Sequence, residues 1–165
     1  MADIINNMTN ADINDKTNNI DELALKNQLC FPLYACAKEI VRAYQTLLEP
    51  ANLTYTQYIV MMVMWEHKEM NVKSLGEFLY LDSGTLTPLL RKMEAKGFLS
   101  RTRSKEDERT VLIALTPEGE ALKQTVAHVP GQMANIISIT EEEFATMYKL
   151  LYKILARLTG HEQKV

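Results

Sequence analysis

The sequence predicts a mainly α-helical fold with a small β-wing: a winged helix-turn-helix flanked by N-terminal and C-terminal helices. Three observations in residues 71–115 predict this fold. Two short helical patterns are separated by a tight turn, a glycine follows the second pattern, and two β-like runs then flank a charged segment. Two helices joined by such a turn and followed by a hairpin make a winged helix, whose second helix enters the major groove of DNA.

The helix-turn-helix is predicted from apolar residues at helical spacing. Its first helix covers residues 72–79, its turn residues 80–83 and its second helix residues 84–96. In the second helix four apolar residues face inward: Leu86, Leu89, Leu90 and Met93. The outward face, which would contact DNA, carries Thr85, Thr87, Arg91 and Lys92.

Local signals set the ends of the second helix. Asp82 or Ser83 can accept a hydrogen bond from its free first-turn amides. Pro88 lies close enough to the start to remove at most one helical hydrogen bond. Gly97 is the expected left-handed stop after Lys96.

The wing is predicted from β-like runs at residues 98–103 and 110–115, on either side of a polar tip. It carries four basic residues: Arg101, Arg103, Lys105 and Arg109. Residues 73–109 contain eight Lys and Arg against six Asp and Glu, whereas the rest of the chain contains ten against fifteen. A solvated face of mixed charge is the alternative, but the order of helix, turn, glycine and basic hairpin favours a localised DNA-binding surface.

Length and composition predict one globular domain in residues 25–165. Residues 1–24 are rich in Asn and Asp and poor in large apolar side chains, which predicts a disordered tail. Within the domain, residues 53–115 form the winged helix-turn-helix. Residues 25–50 and 116–159 are predicted to be dimerisation helices.

Composition also bounds the function. No run approaches the ~18 apolar residues of a membrane span, and two cysteines without a secretory signal predict a cytoplasmic, thiol-reduced chain. His67, His128 and His161 show no metal-ligand spacing with each other or with the cysteines. We therefore expect no membrane partner, no metal, no cofactor and no enzymatic activity.

The helices before the helix-turn-helix are predicted by their apolar pattern and caps. The first covers residues 27–48. Thr54 begins the second, with Gln57 as its capping-box partner. Residues 58–65 are apolar nearly all round, which predicts a buried central helix.

After the wing, Thr116 is the predicted N-cap of a helix that Pro130 and Gly131 kink or break. Thr140 begins the last helix, with Glu143 as its capping-box partner.

The flanking helices carry more apolar stripe than a small winged helix can cover, which predicts a two-fold homodimer. Such a dimer places the second helices of its two helix-turn-helix motifs roughly 34–36 Å apart on palindromic double-stranded DNA. A monomer with a filled helical core is the alternative.

Two stretches carry a specific resemblance. Residues 27–35 read N-Q-L-C-F-P-L-Y-A, and residues 80–90 read Y-L-D-S-G-T-L-T-P-L-L. Together with the order of the helices around the winged helix, they resemble the MarR family of bacterial repressors, and within it the branch of organic hydroperoxide resistance regulators (OhrR). The likeness covers the chain from Leu25 to the last helix and includes E-D-E-R at residues 106–109.

The resemblance implies that Cys30 is a peroxide-sensing thiol. It also implies that Tyr44 and Tyr55 hydrogen-bond to that thiol, at least partly across the dimer, and that Tyr34 lines the same pocket. Independently of the resemblance, Phe31 and Leu33 suggest an apolar rim that would favour organic peroxides over hydrogen peroxide.

For DNA, the resemblance implies that Arg109 enters the minor groove and that Asp107 orients it. The recognition-helix positions that it places against DNA are Ser83, Thr85, Thr87, Arg91 and Lys92.

The position of Cys30 supports a sensing role on chemical grounds. Only a thiolate attacks a peroxide, and if Asn27 caps the first helix, the free helix-end amides favour an anion at Cys30. The sulfenic acid product condenses with low-molecular-weight thiols to a mixed disulfide.

Cys36 lies about 240° round the same helix, so an intrachain disulfide is excluded, and residues 116–138 contain no resolving cysteine. An inert core cysteine is the alternative for Cys30.

Three functions remain open at this point. The first is a dimeric repressor that is released from DNA by oxidation of Cys30. The second is a repressor of the same family that is released by a small aromatic ligand, with Cys30 incidental. The third is a thiol peroxidase, although the sequence offers no second catalytic cysteine and no activating histidine.

Overall fold

The computed structural model describes residues 20–107 and 109–160. The chain divides into two compact units, of which the first ends at Ile40 and the second begins at Val41. Most of the predicted tail, together with Glu108 of the wing and His161, lies outside the described residues. The last residues of that tail, Ile20–Leu23, form a short 3-10 turn.

The described residues form helices and three short strands in the predicted order. The helices are α1 (Cys30–Leu48), α2 (Tyr55–His67), α3 (Val72–Leu79), α4 (Ser83–Ala95), α5 (Pro117–Val126), α6 (Val129–Ile137) and α7 (Glu141–Thr159). The strands are β1 (Glu69–Asn71), β2 (Leu99–Arg103) and β3 (Val111–Leu115). The mainly α-helical fold with a β-wing is therefore confirmed.

The first helix begins three residues later than predicted. Leu25–Asn27 forms a separate 3-10 turn, and Gln28 follows it in an extended conformation, with its amide bonded to the carbonyl oxygen of Leu25 at 3.1 Å. Because Asn27 belongs to this turn, it does not cap α1, so the condition on which the sequence argument for an anion at Cys30 depended is not met. Cys30 is the first residue of α1.

The wing strands belong to an antiparallel sheet in the order β1-β3-β2. Ile113 at the centre of β3 pairs with Met70 on one side and Arg101 on the other, and its side chain is fully buried. Strand β1 was not predicted, because its three residues are too few to show an alternating pattern. It attaches the base of the wing to the end of α2.

The core of the second unit is built around α2. The prediction of a buried central helix at residues 58–65 is confirmed for five of these eight residues, among them the fully buried Val60, Met61 and Met64, whereas Met62 is half exposed. The side chains that complete this core come from α1, α3, α4 and the sheet: Leu48, Leu75, Leu86, Leu90, Met93, Leu99 and Ile113.

The break in the C-terminal helical segment lies earlier than predicted. Helix α5 ends at Val126 and α6 begins at Val129, so Pro130 and Gly131 lie within the first turn of α6. A proline ring clashes with the carbonyl group four residues before it, which here belongs to Val126. The helix therefore stops there, whereas in a first turn the missing N–H of proline leaves no hydrogen bond unmade.

A close approach between α5 and the end of the helix-turn-helix is permitted by Gly119. A Cβ at this position would lie 2.1 Å from the carbonyl oxygen of Phe98 and 2.8 Å from Cδ1 of Leu115. The carbonyl oxygen of Gly119 accepts a buried hydrogen bond of 2.9 Å from Nε1 of Trp65. Its amide donates to the hydroxyl of Thr116, the predicted N-cap, at 3.0 Å.

The C-terminal helices expose much of their apolar surface. None of the residues of α7 is buried. The large apolar side chains that α6, α7 and the segment between them expose are Ile136, Ile137, Ile139, Phe144, Met147, Tyr148, Leu150, Leu151 and Leu158. Within residues 20–107 and 109–160, no helix has the length and apolar character that crossing a membrane requires.

The close approach at Gly119 leads to a stability prediction. We expect Gly119→Ala to lower the free energy of unfolding by about 3 kcal/mol, because the new methyl group overlaps backbone atoms that cannot move independently. Gly131→Ala is the matched control, since a Cβ there meets nothing within 4 Å. Urea unfolding of both variants at one protein concentration measures the difference. Equal midpoints for the two variants would contradict the proposed constraint.

Candidate functional site

Helix α4 begins with a side-chain cap that the sequence had left open between two residues. Asp82 is the N-cap: its carboxylate accepts hydrogen bonds from the amide of Thr85 at 2.9 Å and from the hydroxyl of Thr85 at 2.8 Å. These hydrogen bonds hold the pKa of Asp82 below its usual range. Ser83, the other candidate, is the first helical residue.

Four of the five residues predicted to face outward from α4 are exposed. Ser83, Thr85, Arg91 and Lys92 are exposed, but Thr87 is half-buried, and its hydroxyl donates to the carbonyl oxygen of Ser83 at 2.7 Å. On the inward face, the prediction for Leu86, Leu90 and Met93 is confirmed, while Leu89 is only half-buried.

The far end of α4 is closed by the predicted glycine. Gly97 has a φ of +77°, and its amide donates to the carbonyl oxygen of Glu94 at 2.9 Å. The amide of Phe98 donates to the carbonyl oxygen of Met93 at 3.1 Å. These two bonds form a Schellman motif, which fixes the backbone of Lys96 at the C-cap.

The tip of the wing is held by Asp107. Its carboxylate accepts hydrogen bonds from the amide of Arg109 at 3.0 Å and from the hydroxyl of Thr110 at 2.8 Å. Both bonds lower the pKa of Asp107, so it is ionised at neutral pH. The contact to Arg109 is through the backbone amide, and the Arg109 side chain is exposed, as are those of Arg103 and Lys105.

Arg101 differs from the other basic residues of the wing. It is half-buried on β2, and its guanidinium lies 3.5 Å from the carboxylate of Glu94 on α4. Its Nε is buried, without a hydrogen-bond partner among the described residues. Arg101 therefore contacts α4 as well as belonging to the predicted DNA-binding set.

A groove separates the helix-turn-helix from the wing. Its cavity has a volume of about 880 Å³. Ser83 and Thr87 of α4 line it together with Arg101 and Arg109 of the wing, and residues of α3 supply much of the remaining lining. The structure thus places members of both predicted DNA-binding groups around one concave surface.

The predicted sensing thiol lies in the first unit. Cys30 is exposed at the first residue of α1. The amides of Phe31 and Leu33 in the same turn donate to the carbonyl oxygens of Gln28 and Leu29. Phe31 in the same turn and Tyr34 one turn further are also exposed, with relative exposures of 44% and 65%. Cys36 is also a free, exposed thiol.

The predicted pocket tyrosines of the second unit lie together. The rings of Tyr44 and Tyr55 have centroids 4.8 Å apart, and Tyr58 lies 5.8 Å from Tyr44. Burial raises the pKa of all three hydroxyls, and at Tyr44 the two neighbouring tyrosines raise it further. The three hydroxyls are therefore neutral hydrogen-bond donors at physiological pH. The sequence pattern had assigned Tyr58 only to the buried helix. Because that helix is apolar on nearly all sides, the pattern does not indicate which of its side chains contacts Tyr44.

In the part of the chain that the structure describes, acidic, cysteine and histidine side chains form no group of three or more that could hold a metal ion.

The chain is similar to known bacterial regulators over most of its length. Residues 42–126 match the family described as "Transcriptional regulator SarA/Rot", which spans the winged helix. The organic hydroperoxide resistance transcriptional regulator of Bacillus subtilis strain 168 is 45% identical over 141 residues, covering 86% of this chain and 96% of the relative. An "HTH-type transcriptional regulator SarZ" of Staphylococcus aureus is 39% identical over 145 residues, covering 88% and 98%.

Solved structures of bacterial regulators are also similar to this chain. Reduced AbfR bound to DNA, a protein of Staphylococcus epidermidis, superposes with a TM-score of 0.70 at 30% identity, covering 84% of this chain and 96% of that one. The likeness in sequence spans both the helix that carries Cys30 and the winged helix. The chain therefore belongs to the MarR family of transcriptional regulators, in the branch that contains the organic hydroperoxide resistance regulators.

Proposed function

We propose that this chain is a homodimeric repressor that binds palindromic double-stranded DNA when Cys30 is reduced and leaves it when an organic hydroperoxide oxidises Cys30. The observation that carries the proposal is the pairing of a complete winged helix with an exposed thiol at the start of α1. The names of the relatives favour this function over release by a small aromatic ligand or catalytic peroxide turnover, because they describe transcriptional regulators and, in one case, organic hydroperoxide resistance.

DNA binding is supported by where the polar and basic side chains lie. The exposed face of α4 would enter the major groove with Ser83, Thr85, Arg91 and Lys92, and Thr87 would contact DNA at the edge of this face. The wing would follow the phosphate backbone with its basic residues, and Arg109 would extend into the minor groove. Asp107 supports this placement by fixing the turn from which Arg109 projects.

Dimerisation is supported by the apolar surface of the C-terminal helices. Phe144 and Leu158 are 56% and 79% exposed, near opposite ends of α7. A lone chain in water would leave this stripe unpaired along the whole helix, and large apolar patches mark protein interfaces. A second copy would cover it and would set the spacing of the two α4 helices.

The sensing reaction follows from thiol chemistry. The Cys30 thiolate attacks the outer oxygen of the hydroperoxide, the O–O bond breaks, and the alkoxide takes a proton and leaves as an alcohol. The sulfur is oxidised by two electrons to a sulfenic acid. A low-molecular-weight thiol then condenses with the sulfenic acid, which releases water and leaves a mixed disulfide on Cys30.

Tyr44 and Tyr55 would stabilise the thiolate of the reduced state. A phenolic O–H bonds well to a thiolate, and because these tyrosines keep their protons, they add no negative charge beside it. Phe31 and Tyr34 would line the approach of the peroxide. Oxidation converts the anion into a larger neutral group, so the tyrosine contacts are lost and bulk is added near the dimer interface.

The repressor proposal predicts a stoichiometric switch. Reduced wild-type protein bound to a palindromic probe from its own upstream region is titrated with cumene hydroperoxide in the presence of free cysteine. We expect release at about one peroxide per subunit and no release for Cys30→Ser, because serine has no oxidisable sulfur. Cys36→Ser is the matched control and should release as the wild type does. Release of the Cys30→Ser variant would reject the proposal in favour of a ligand-sensing repressor.

The proposed tyrosine contacts predict slower oxidation without them. We expect Tyr55→Phe or Tyr44→Phe to lower the rate of Cys30 oxidation about tenfold, the worth of one hydrogen bond to a charged group. Stopped-flow measurement of sulfenic acid formation gives the rate. Tyr58→Phe removes the third hydroxyl of the cluster and should oxidise at the wild-type rate. Unchanged rates in both of the first two variants would remove the tyrosines from the mechanism.

The wing contact predicts a change in salt dependence. Arg109→Ala should weaken DNA binding by the reduced protein roughly tenfold and reduce the slope of log K against log salt by about 1, because one cation no longer displaces a counterion. Its rate of reaction with peroxide should be unchanged. Lys123→Ala, which removes an exposed lysine of α5, is the control. An Arg109→Ala slope equal to that of wild type would exclude the proposed contact.

A further inference from the structure

The lysine at the end of the recognition helix α4 reaches the start of α2. The ammonium of Lys96 donates to the carbonyl oxygen of Asn52, and it lies 3.4 Å from Oδ1 of Asn52 and 3.2 Å from Oε1 of Gln57. An ammonium has three N–H donors, and these three oxygens can engage all of them. We call this set of contacts the Lys96 bridge.

Both ends of the Lys96 bridge rest on fixed backbone. The Schellman motif holds Lys96 itself. Asn52 is left-handed, with a φ of 52°, and its amide bonds to the carbonyl oxygen of Glu49 at 2.9 Å. Gln57 is only 4% exposed, and its Oε1 also accepts from the amide of Thr54 at 3.1 Å in the capping box. The bridge therefore joins two rigid segments, unlike a surface ion pair between two flexible side chains.

The stability of α2 does not account for a cation at this position. The N-terminus of a helix carries partial positive charge, so an ammonium there is less favourable than a neutral or acidic side chain. The hydrogen bonds to Asn52 and Gln57 offset that repulsion. At the C-cap of α4 a cation is favourable, and from there Lys96 also connects the last turn of α4 directly to the first turn of α2.

The first turn of α2 is also where the tyrosine cluster begins. Tyr55 is the first residue of α2, and Gln57 lies two residues further in the same turn. The Tyr55 ring lies 4.8 Å from that of Tyr44. A backbone displacement at Tyr55 would therefore also move the side-chain oxygen of Gln57 that accepts from Lys96.

We propose that Lys96 is a positioning residue that transmits the state of the thiol site to the recognition helix. This inference rests on the proposed function. In the reduced protein the Lys96 bridge holds the end of α4 in the orientation that binds DNA. When oxidation of Cys30 displaces Tyr55, the bridge carries that displacement into α4, and α4 leaves its position in the groove.

The test compares the affinity for operator DNA in the reduced and oxidised states. Lys96→Met keeps most of the side-chain length and removes the ammonium. We expect the ratio of the oxidised to the reduced Kd to fall about tenfold relative to wild type, within the range of allosteric coupling, while the rate of Cys30 oxidation stays unchanged. Lys92→Met, an exposed lysine on the same helix, is the control for loss of charge: both Kd values should rise and their ratio should stay as in wild type.

The outcomes separate the inference from the proposed function. If oxidised wild-type protein binds DNA as tightly as reduced protein, the proposed function fails. If wild type releases DNA and Lys96→Met has the same ratio of Kd values, including equal weakening of both states, Lys96 serves only structure or phosphate binding and the inference is overturned.

A measurement on wild type keeps the inference testable if the Lys96→Met variant does not fold. Hydrogen exchange is followed in residues 52–58 and 93–99 before and after treatment with cumene hydroperoxide and free cysteine. We expect both segments to lose protection together, because the bridge joins them. Loss of protection in residues 52–58 alone overturns the inference.

Discussion

The arrangement of the winged helix depends on the close contact between the first turn of α5 and the chain that follows α4. Thr116 caps α5, and its hydroxyl lies 2.6 Å from the carbonyl oxygen of Gly97 and 2.9 Å from that of Phe98. Three residues later, Gly119 lies against Phe98 at a distance that no other residue type permits and accepts the indole hydrogen bond of Trp65. One turn thus joins the central helix α2, the end of the recognition helix and the root of the wing. Strand β2 begins at Leu99, so the direction of the wing is set at this contact.

The helices of the DNA-binding part combine a buried inner face, with Leu75, Leu90 and Met93 in the core, with caps that fix their ends. Helix α3 is eight residues long, which is too short to be stable alone, and Asn71 caps it by accepting from the amide of Ser74 at 2.7 Å. Asp82 and the Schellman motif close the two ends of α4. This leaves the outward face of α4 free of any packing requirement. Polar and basic side chains can occupy it at little cost to the fold, as a surface that must meet phosphates requires.

Local chemistry made much of the fold predictable, and long-range contacts account for most of what was missed. The capping boxes at Thr54 and Thr140 and the left-handed Gly97 follow from residues within four positions of each other, and all three form as predicted. Strand β1 was missed because it is defined by its partner β3, more than forty residues later. The start of α1 was misplaced because Asn27 is an equally good residue for a 3-10 turn. Nothing local marks Lys96, whose acceptors lie 39 and 44 positions away.

The difference between local chemistry and long-range contacts also applies to the candidate functional site. Residues that would touch DNA or peroxide have side chains whose chemistry can be recognised one at a time, so the family resemblance assigns them individually. The coupling between the two functions is a property of packing, and it needs a rigid path from one helix to another. The tyrosine cluster provides one end of such a path, because the ring of Tyr55 lies 4.8 Å from that of Tyr44, which in turn lies 5.8 Å from the buried ring of Tyr58. Because Tyr55 begins α2, and because the same turn holds Gln57 against Lys96, a displacement of one ring has a defined route to the helix that would contact DNA.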